Sequence, residues 1–233
     1  MFDLVAFDAD DTLWHNELLY AETKRKLREL LLPCVDGKTV EQRLYQTEMR
    51  NLPLYGYGIK SFALSMIETA IELTGGGIPA AEILQIISFV KEMLAADVVL
   101  FEHAEETLSV LARHYPLMLI TKGDLRDQQA KLARSQMDRY FQSVEVVSDK
   151  TEQAYASLLD RHGVAPERFL MVGNSLRSDV LPVLALGAYA VYVPYQLTWL
   201  HEQVQGPHAG QDGFFEVEHL GQVPALIEGL CAG

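Results

Sequence analysis

Three aspartates stand close together near the start of the chain, directly after a short apolar run. Asp8, Asp10 and Asp11 follow residues 2–7, which read Phe-Asp-Leu-Val-Ala-Phe. Carboxylates in such an arrangement can act as nucleophile, as proton donor and acceptor, or as oxygen ligands of a hard cation such as Mg²⁺. We therefore start from this aspartate group as a candidate site.

Three further polar residues occupy the same kind of position later in the chain. Thr121, Lys150 and Asp179 each come shortly after an apolar run that predicts a buried strand. Open parallel α/β sheets bind ligands at the carboxyl ends of their strands. Residues that are far apart in sequence can therefore meet Asp8 in one crevice.

The elements that would position these residues alternate between strand and helix. The predicted strands are 2–7, 117–120, 144–147, 169–172, 189–193 and 214–217, and the predicted helices between the later ones are 104–114, 125–136, 151–162 and 177–186. Short apolar strands alternating with helices are typical of an α/β doubly wound parallel sheet, that is, a Rossmann-like core.

Residues 15–95 interrupt this pattern, because they contain no convincing strand. Apolar residues at helical spacing predict helices at about 16–32, 39–50, 59–74 and 79–95, separated by Pro33, by Tyr55-Gly56-Tyr57-Gly58 and by Gly75-Gly76-Gly77. We expect a catalytic core formed by residues 1–14 and 96–233, with a helical insertion at 15–95.

Composition limits the partners and the compartment. The 32 acidic against 19 basic residues give a formal net charge of -13, so a polyanion such as nucleic acid would be repelled by most of the surface. No apolar run approaches the roughly 20 residues needed to cross a bilayer. Cys34 and Cys231 are far apart and have no metal-ligand spacing, which argues against a disulfide framework and favours a reducing, cytoplasmic location. We expect no nucleic acid or membrane partner.

In order along the chain, the polar positions resemble the four motifs of the haloacid dehalogenase superfamily. Residues 8–13, Asp-Ala-Asp-Asp-Thr-Leu, are similar to the first motif, Asp-x-Asp-x-Thr followed by Leu. Thr121 resembles the second motif and Lys150 the third, and residues 173–179, Gly-Asn-Ser-Leu-Arg-Ser-Asp, resemble the fourth. The resemblance covers essentially the whole chain. It implies the phosphatase branch, with a helical cap between the first and second motifs.

The resemblance also implies a role for each residue. Asp8 would attack phosphorus to form an aspartyl-phosphate, and Asp10 would serve as general acid and base. Mg²⁺ would be held by the carboxylates of Asp8 and Asp179 and by the backbone carbonyl of Asp10. Thr121 would hydrogen-bond a phosphate oxygen, and Lys150 would offset its charge and restrain Asp8. The expected activity is Mg²⁺-dependent hydrolysis of a small phosphomonoester.

Two positions depart from the family pattern. The fourth motif often begins Gly-Asp, but here Asn174 follows Gly173, so one anionic group near the metal is missing. We include Asn174 among the metal-site residues and expect weaker Mg²⁺ binding. The residue after the second-motif threonine is Lys122 where the family usually has Asn or Gly.

Several alternatives remain open at this stage. Asp11 is interpreted as the cap of a helix starting near Thr12. Arg50, Tyr55 and Lys60 are candidates for contacting a leaving group, although the loop around them is equally consistent with a structural helix connection. A phosphomutase of the β-phosphoglucomutase type would use the same motifs. A 2-haloacid dehalogenase would lack an aspartate at the position of Asp10, and a non-catalytic binding protein would not need all four motifs.

The substrate and the assembly are also open. We expect a small phosphorylated metabolite as partner, with phosphoglycolate, a nucleoside monophosphate and a sugar phosphate as candidates. The chain is expected to be a monomer or a homodimer.

Overall fold

A computed structural model describes residues 2–197, 199–204, 206 and 210–232, with Ala232 described by its backbone alone. The chain divides into two compact units. The first, here the core unit, comprises Met1–Glu17, Val98–Thr121 and Gln129–Gly233. The second, here the helical unit, comprises Leu18–Asp97 together with Lys122–Gln128.

The described residues contain one six-stranded sheet, which lies in the core unit. Its strands are β1 (Leu4–Phe7), β2 (Leu117–Lys122), β3 (Ser143–Val147), β4 (Phe169–Gly173), β5 (Tyr189–Tyr192) and β6 (Phe214–Glu216). Their order in the sheet is β3-β2-β1-β4-β5-β6. The pairs β1–β2, β1–β4, β4–β5 and β5–β6 are parallel. This order confirms the predicted α/β Rossmann-like fold.

The helices in the described residues follow the predicted alternation. They are α1 (Glu17–Leu31), α2 (Gly37–Tyr55), α3 (Ile59–Leu73), α4 (Ala80–Ala95), α5 (Ala104–Leu111), α6 (Leu125–Ser135), α7 (Glu152–His162), α8 (Leu181–Ala185) and α9 (Val223–Ala232). None of those described is long and apolar enough to cross a bilayer.

Both faces of the sheet are buried, because successive strand residues point to opposite sides. Val5 and Phe7 belong to an apolar cluster that includes residues of α5 and α9. Leu4 and Ala6 belong to a second cluster that includes residues of α7 and α8. Burial on both faces explains why the strands read as nearly continuous apolar runs.

The helical unit has an apolar core of its own. Residues from α1 to α4 form one buried cluster, which includes Leu27, Leu44, Phe62, Met66 and Ile86. Helix α2 extends to Tyr55, so its predicted end near residue 50 was too early. Pro53 lies inside this helix, two residues before its end, and removes one backbone hydrogen-bond donor there.

The helical segment predicted at 177–186 is confirmed, but its first turn is not an α-helix. Residues Leu176–Val180 form a π-helical turn, and α8 begins only at Leu181. Pro182 has no N–H with which to bond the carbonyl of Ser178, four residues earlier. The Tyr155 hydroxyl donates to that carbonyl instead, at 3.0 Å. The wider turn carries Asp179.

Candidate active site

Asp8 is a buried carboxylate at the carboxyl end of β1. Its backbone N–H donates to the Val172 carbonyl at 2.9 Å, which fixes it beside the end of β4. Each side-chain oxygen accepts a different donor. Oδ2 accepts from the Thr12 hydroxyl at 2.9 Å, and Oδ1 accepts from Lys150 Nζ at 2.5 Å. Two donors from different elements therefore hold the plane of this carboxylate.

A tight turn after Asp8 brings Thr12 back toward it. The backbone N–H groups of Thr12 and Leu13 both donate to the Ala9 carbonyl, at 3.3 and 2.8 Å. The spacing of the first motif therefore follows from the turn, because residue 12 is the one that returns to Asp8.

Lys150 joins two carboxylates that are distant in sequence. It lies three residues beyond the end of β3, is buried, and its Nζ is 2.5 Å from Asp8 Oδ1 and 2.6 Å from Asp179 Oδ1. Burial alone would lower the pKa of Lys150, but the two carboxylates raise it overall, so the ammonium stays charged. The Lys150 backbone N–H donates to the Asp149 carboxylate at 2.9 Å.

Asp179 is almost fully buried on the π-helical turn. Its Oδ2 accepts from the Ser175 backbone N–H at 3.0 Å. Burial raises the pKa of Asp179 to about 7, and the nearby Asp8 carboxylate adds to this shift while Lys150 opposes it. One lysine thus leaves this pair of carboxylates incompletely neutralised.

The oxygen donors at this edge suit a hard cation. Asp8 and Asp179 converge on a single nitrogen and carry excess negative charge in a buried place. No group of three or more His, Cys, Asp and Glu side chains in the described residues could hold a metal. Two carboxylates with a backbone carbonyl are a donor set that Mg²⁺ accepts, because this ion retains several of its waters.

Asn174 contacts the same network through Thr12. Its backbone N–H donates to Thr12 Oγ1 at 3.0 Å, and its side-chain Oδ1 lies 3.1 Å from that hydroxyl oxygen. A hydroxyl carries one proton, so Thr12 donates either to Asp8 or to Asn174 at any moment. The Asn174 amide oxygen and the Asp8 carboxylate therefore share the Thr12 hydroxyl as their donor.

Asp10 is held by a different lysine. Lys131 Nζ is 2.7 Å from both Oδ1 and Oδ2 of Asp10, and the Trp14 indole N–H donates to Oδ1 at 2.7 Å. Lys131 is buried on α6, and its Nζ also donates to Asn16 Oδ1 at 3.2 Å. The two aspartates of the first motif thus have separate cationic partners.

Thr121 is buried at the same edge of the sheet. In the parallel register Phe7 pairs with Leu119, so Thr121 lies two residues past the partner of the last β1 residue. The core unit therefore brings Asp8, Asp10, Thr121, Lys150 and Asp179 to the carboxyl ends of β1, β2, β3 and β4.

Asp11 is a capping residue, but of a different helix from the one predicted. Its carboxylate accepts from the backbone N–H groups of Asn16 and Glu17, at 2.9 and 3.0 Å. The capped helix α1 begins at Glu17, not near Thr12, because the residues after Asp11 form the tight turn. Burial raises the pKa of Asp11 to about 7, and these hydrogen bonds oppose the shift.

Sequence reasoning missed Lys131 and Trp14. One signal was available: α6 has few apolar residues, yet a helix of a doubly wound fold must bury one face. Asp127, Gln128, Lys131 and Ser135 recur at helical spacing and are all buried. A polar stripe of this kind indicates a helix that contributes side chains to a site.

Within the helical unit, the leaving-group candidates differ in their contacts. Arg50 is ion-paired with Glu68 and Glu72 of α3, which fits a structural role. Lys60 is ion-paired with Asp124 at 3.0 Å. Tyr55 is exposed.

Comparison with known proteins gives a consistent family. Residues 2–187 match the model of the haloacid dehalogenase-like hydrolases. A haloacid dehalogenase-like family hydrolase from Xanthomonas campestris has 39% identity and a TM-score of 0.89, covering 99% of this chain and 92% of that one. The mouse (Mus musculus) N-acylneuraminate-9-phosphatase is 24% identical over 183 residues, which are 76% of this chain and 71% of the relative. A 2-haloacid dehalogenase from Pseudomonas syringae pv. Tomato DC3000 shares the fold, with a TM-score of 0.66 at 20% identity and coverage of 99% and 100%.

The fold and the site define a hydrolase with an aspartate at the end of its first strand. This chain belongs to the haloacid dehalogenase-like hydrolase family.

Proposed function

We propose that this protein is a Mg²⁺-dependent phosphatase that hydrolyses a small phosphomonoester through an aspartyl-phosphate on Asp8. The observation that carries the proposal is the separate support of the two first-motif aspartates. Asp8 is held by Thr12 and Lys150, whereas Asp10 is held by Trp14 and Lys131. One carboxylate is thereby oriented as a nucleophile and the other is available for proton transfer.

In the first step, an Asp8 oxygen attacks phosphorus and the bond from phosphorus to the ester oxygen breaks. Asp10, protonated at this point, gives its proton to the leaving oxygen, which departs as an alcohol. Lys150 stays bound to Asp8 and offsets the negative charge that the phosphate brings to a buried carboxylate. The Thr121 hydroxyl donates a hydrogen bond to a phosphate oxygen.

In the second step, water attacks the phosphorus of the aspartyl-phosphate. Asp10, now deprotonated, takes a proton from this water, and the bond from phosphorus to the Asp8 oxygen breaks. Inorganic phosphate leaves, Asp8 is again a carboxylate, and Asp10 is again protonated. The two steps return every group of the chain to its starting state.

Mg²⁺ would be held by the carboxylates of Asp8 and Asp179 and by the carbonyl of Asp10, with Asn174 beside them. Bound there, it would supply positive charge that lets an anionic nucleophile approach an anionic ester. The incompletely neutralised carboxylate pair supports this assignment.

The presence of Asp10 favours phosphoryl transfer over dehalogenation. A halide leaves without a proton, so a dehalogenase needs no acid at this position, whereas an alkoxide leaving group does. Asp10 is held beside the nucleophile by two donors, which is consistent with a residue that takes part in chemistry.

We also propose that residues 15–95 act as a cap that selects the leaving group, as the family resemblance implies. The substrate class is a small phosphorylated metabolite. The phosphatase relatives act on an N-acylneuraminate 9-phosphate by name, so a phosphorylated sugar acid joins phosphoglycolate, nucleoside monophosphates and hexose phosphates as a first candidate.

A phosphatase screen of the purified chain tests the proposal. The panel contains these phosphate esters with and without Mg²⁺, 2-chloropropionate as a halogenated substrate, and the Asp8→Asn variant as a control. Release of phosphate that needs both Mg²⁺ and Asp8 is expected. Release of chloride from 2-chloropropionate would contradict the assignment, and conversion of a hexose phosphate into its isomer would identify a mutase.

A further inference from the structure

Lys131 and Asp10 form an ion pair within the core unit that the four family motifs do not include. Both carboxylate oxygens of Asp10 lie 2.7 Å from Lys131 Nζ. The side chain of Lys131 is 8% exposed and that of Asp10 is 21% exposed. The pair therefore lies at the border of the buried region, where its geometry is constrained by packing more than that of a surface pair.

A second donor fixes the same carboxylate from another direction. Trp14 is 1% exposed, and its indole N–H donates to Asp10 Oδ1 at 2.7 Å. Because the indole is packed in the apolar cluster on one face of the sheet, its N–H cannot follow a moving carboxylate. Asp10 on its tight turn thus has a fixed donor on one oxygen and a cation shared by both.

We infer that Lys131 is a positioning residue for the reaction: with Trp14 it holds the carboxyl group of Asp10 in the orientation needed to give a proton to the leaving oxygen and later to take one from water. The inference rests on the proposed function, in which Asp10 is the general acid and base. It adds a residue from α6 to the site, at a position that none of the four motifs contains.

The different contacts of Lys150 and Lys131 support the inference. Lys150 is 2.5 Å from Asp8 and 2.6 Å from Asp179, whereas Lys131 is bound to Asp10 and Asn16. Had Lys131 simply balanced charge at the nucleophile, it would be expected beside Asp8. Its contacts lie instead on the proton-transfer aspartate and on the residue just before α1.

Orientation affects proton transfer most when the leaving group is poor. Lys131→Met, which keeps the length and removes the charge, should lower the phosphorylation rate with an alkyl phosphate by about tenfold or more, because a misaligned acid loses part of its roughly 10²–10⁴-fold contribution. With p-nitrophenyl phosphate, whose leaving group needs little protonation, the loss should stay within about twofold. KM should change little for either ester.

Four further variants separate positioning from other roles. Lys131→Arg keeps a cation with several donors and should restore part of the rate. Trp14→Phe keeps a buried aromatic ring, although a smaller one, removes the N–H, and should give a smaller loss of the same kind. Arg134→Met removes an exposed cation from the same helix and should behave as wild type.

In an Asp10→Asn background, Lys131→Met should cause no further loss, because the residue acts through Asp10. Thermal unfolding of each variant checks the fold.

The outcomes distinguish this inference from the proposed function. Equal losses for both esters, a raised KM for both, or full additivity with Asp10→Asn would show that Lys131 binds substrate or supports the fold, which would overturn the inference alone. Wild-type protein that releases no phosphate from any ester, or Asp10→Asn that keeps the wild-type rate on alkyl phosphates, would overturn the proposed function and the inference with it.

Discussion

Gly173 and Asp179 are so close that a β-carbon at residue 173 would lie 2.3 Å from Asp179 Oδ2. No real β-carbon tolerates such a contact, so any other residue at 173 must displace the carboxylate. Asp179 accepts from the Ser175 N–H and from Lys150, and both bonds depend on its position. The glycine that opens the fourth motif is therefore explained by space for a buried carboxylate.

Gly173→Ala should lower the free energy of unfolding by about 1–3 kcal/mol, the range for overpacking a buried site. It should also raise the Mg²⁺ concentration needed for half-maximal activity, because a carboxylate of the proposed metal site is moved. The control is Gly229→Ala in α9, where a β-carbon meets nothing within 4 Å. Denaturant unfolding and Mg²⁺ titration of both variants are the measurements. Wild-type values for Gly173→Ala in both would contradict this account.

Lys150→Met should destabilise the metal-free protein by about 3–5 kcal/mol, since it leaves two buried carboxylates facing each other without their cation. Added Mg²⁺ should recover part of this loss if the ion binds the same carboxylates in the folded state only. Lys91→Met, at an exposed position of α4, is the matched control and should stay within about 0.5 kcal/mol of wild type. Thermal unfolding of both variants with and without Mg²⁺ measures this recovery. A loss that Mg²⁺ leaves unchanged would argue against a shared metal and lysine site.

Asn174→Asp should lower the Mg²⁺ concentration needed for half-maximal activity. The side-chain oxygen at this position and the Asp8 carboxylate both contact the Thr12 hydroxyl, so a carboxylate there would add negative charge near the proposed metal site. The same charge should slow turnover, because it repels the incoming phosphate ester. Asn174→Ala separates loss of the amide from gain of the charge. If Asn174→Asp needs as much Mg²⁺ as wild type, residue 174 does not belong to the proposed metal site.

Substitutions at Tyr55 and Lys60 should alter the choice among natural substrates more than the turnover of a small generic ester, if the helical unit selects the leaving group. Tyr55 is exposed, and Lys60 holds Asp124. Lys60→Met therefore also tests whether this ion pair organises the segment after β2. Lys38→Met, at an exposed position of α2, is the control. If the relative rates across the substrate panel are unchanged, the loop around Tyr55 and Lys60 only connects two helices and does not select the substrate.

The sequence predicted the alternation of strands and helices because that information is local. Apolar runs bounded by polar residues indicate buried strands, and the strand-end rule then brought Asp8, Thr121, Lys150 and Asp179 to one edge. The fold followed from the same pattern, since parallel strands need helices between them.

The features that were missed depend on contacts between distant segments. Lys131 reaches Asp10 across 121 positions, and nothing near either residue indicates the other. At the π-helical turn that carries Asp179, the Tyr155 hydroxyl donates to the Ser178 carbonyl, to which Pro182 cannot donate. Helix α2 also continues through Pro53, although proline usually ends a helix.

The central claim is that Asp8 becomes covalently phosphorylated during turnover. Its most direct test is rapid acid quenching of the enzyme with a substrate found in the screen, followed by mass spectrometry of the peptide that contains residue 8. The account predicts a phosphoryl group on Asp8 in the wild type, and neither this adduct nor turnover in a folded Asp8→Asn variant. A phosphoryl group on any other residue, or an Asp8→Asn variant that still releases phosphate at the wild-type rate, would contradict it.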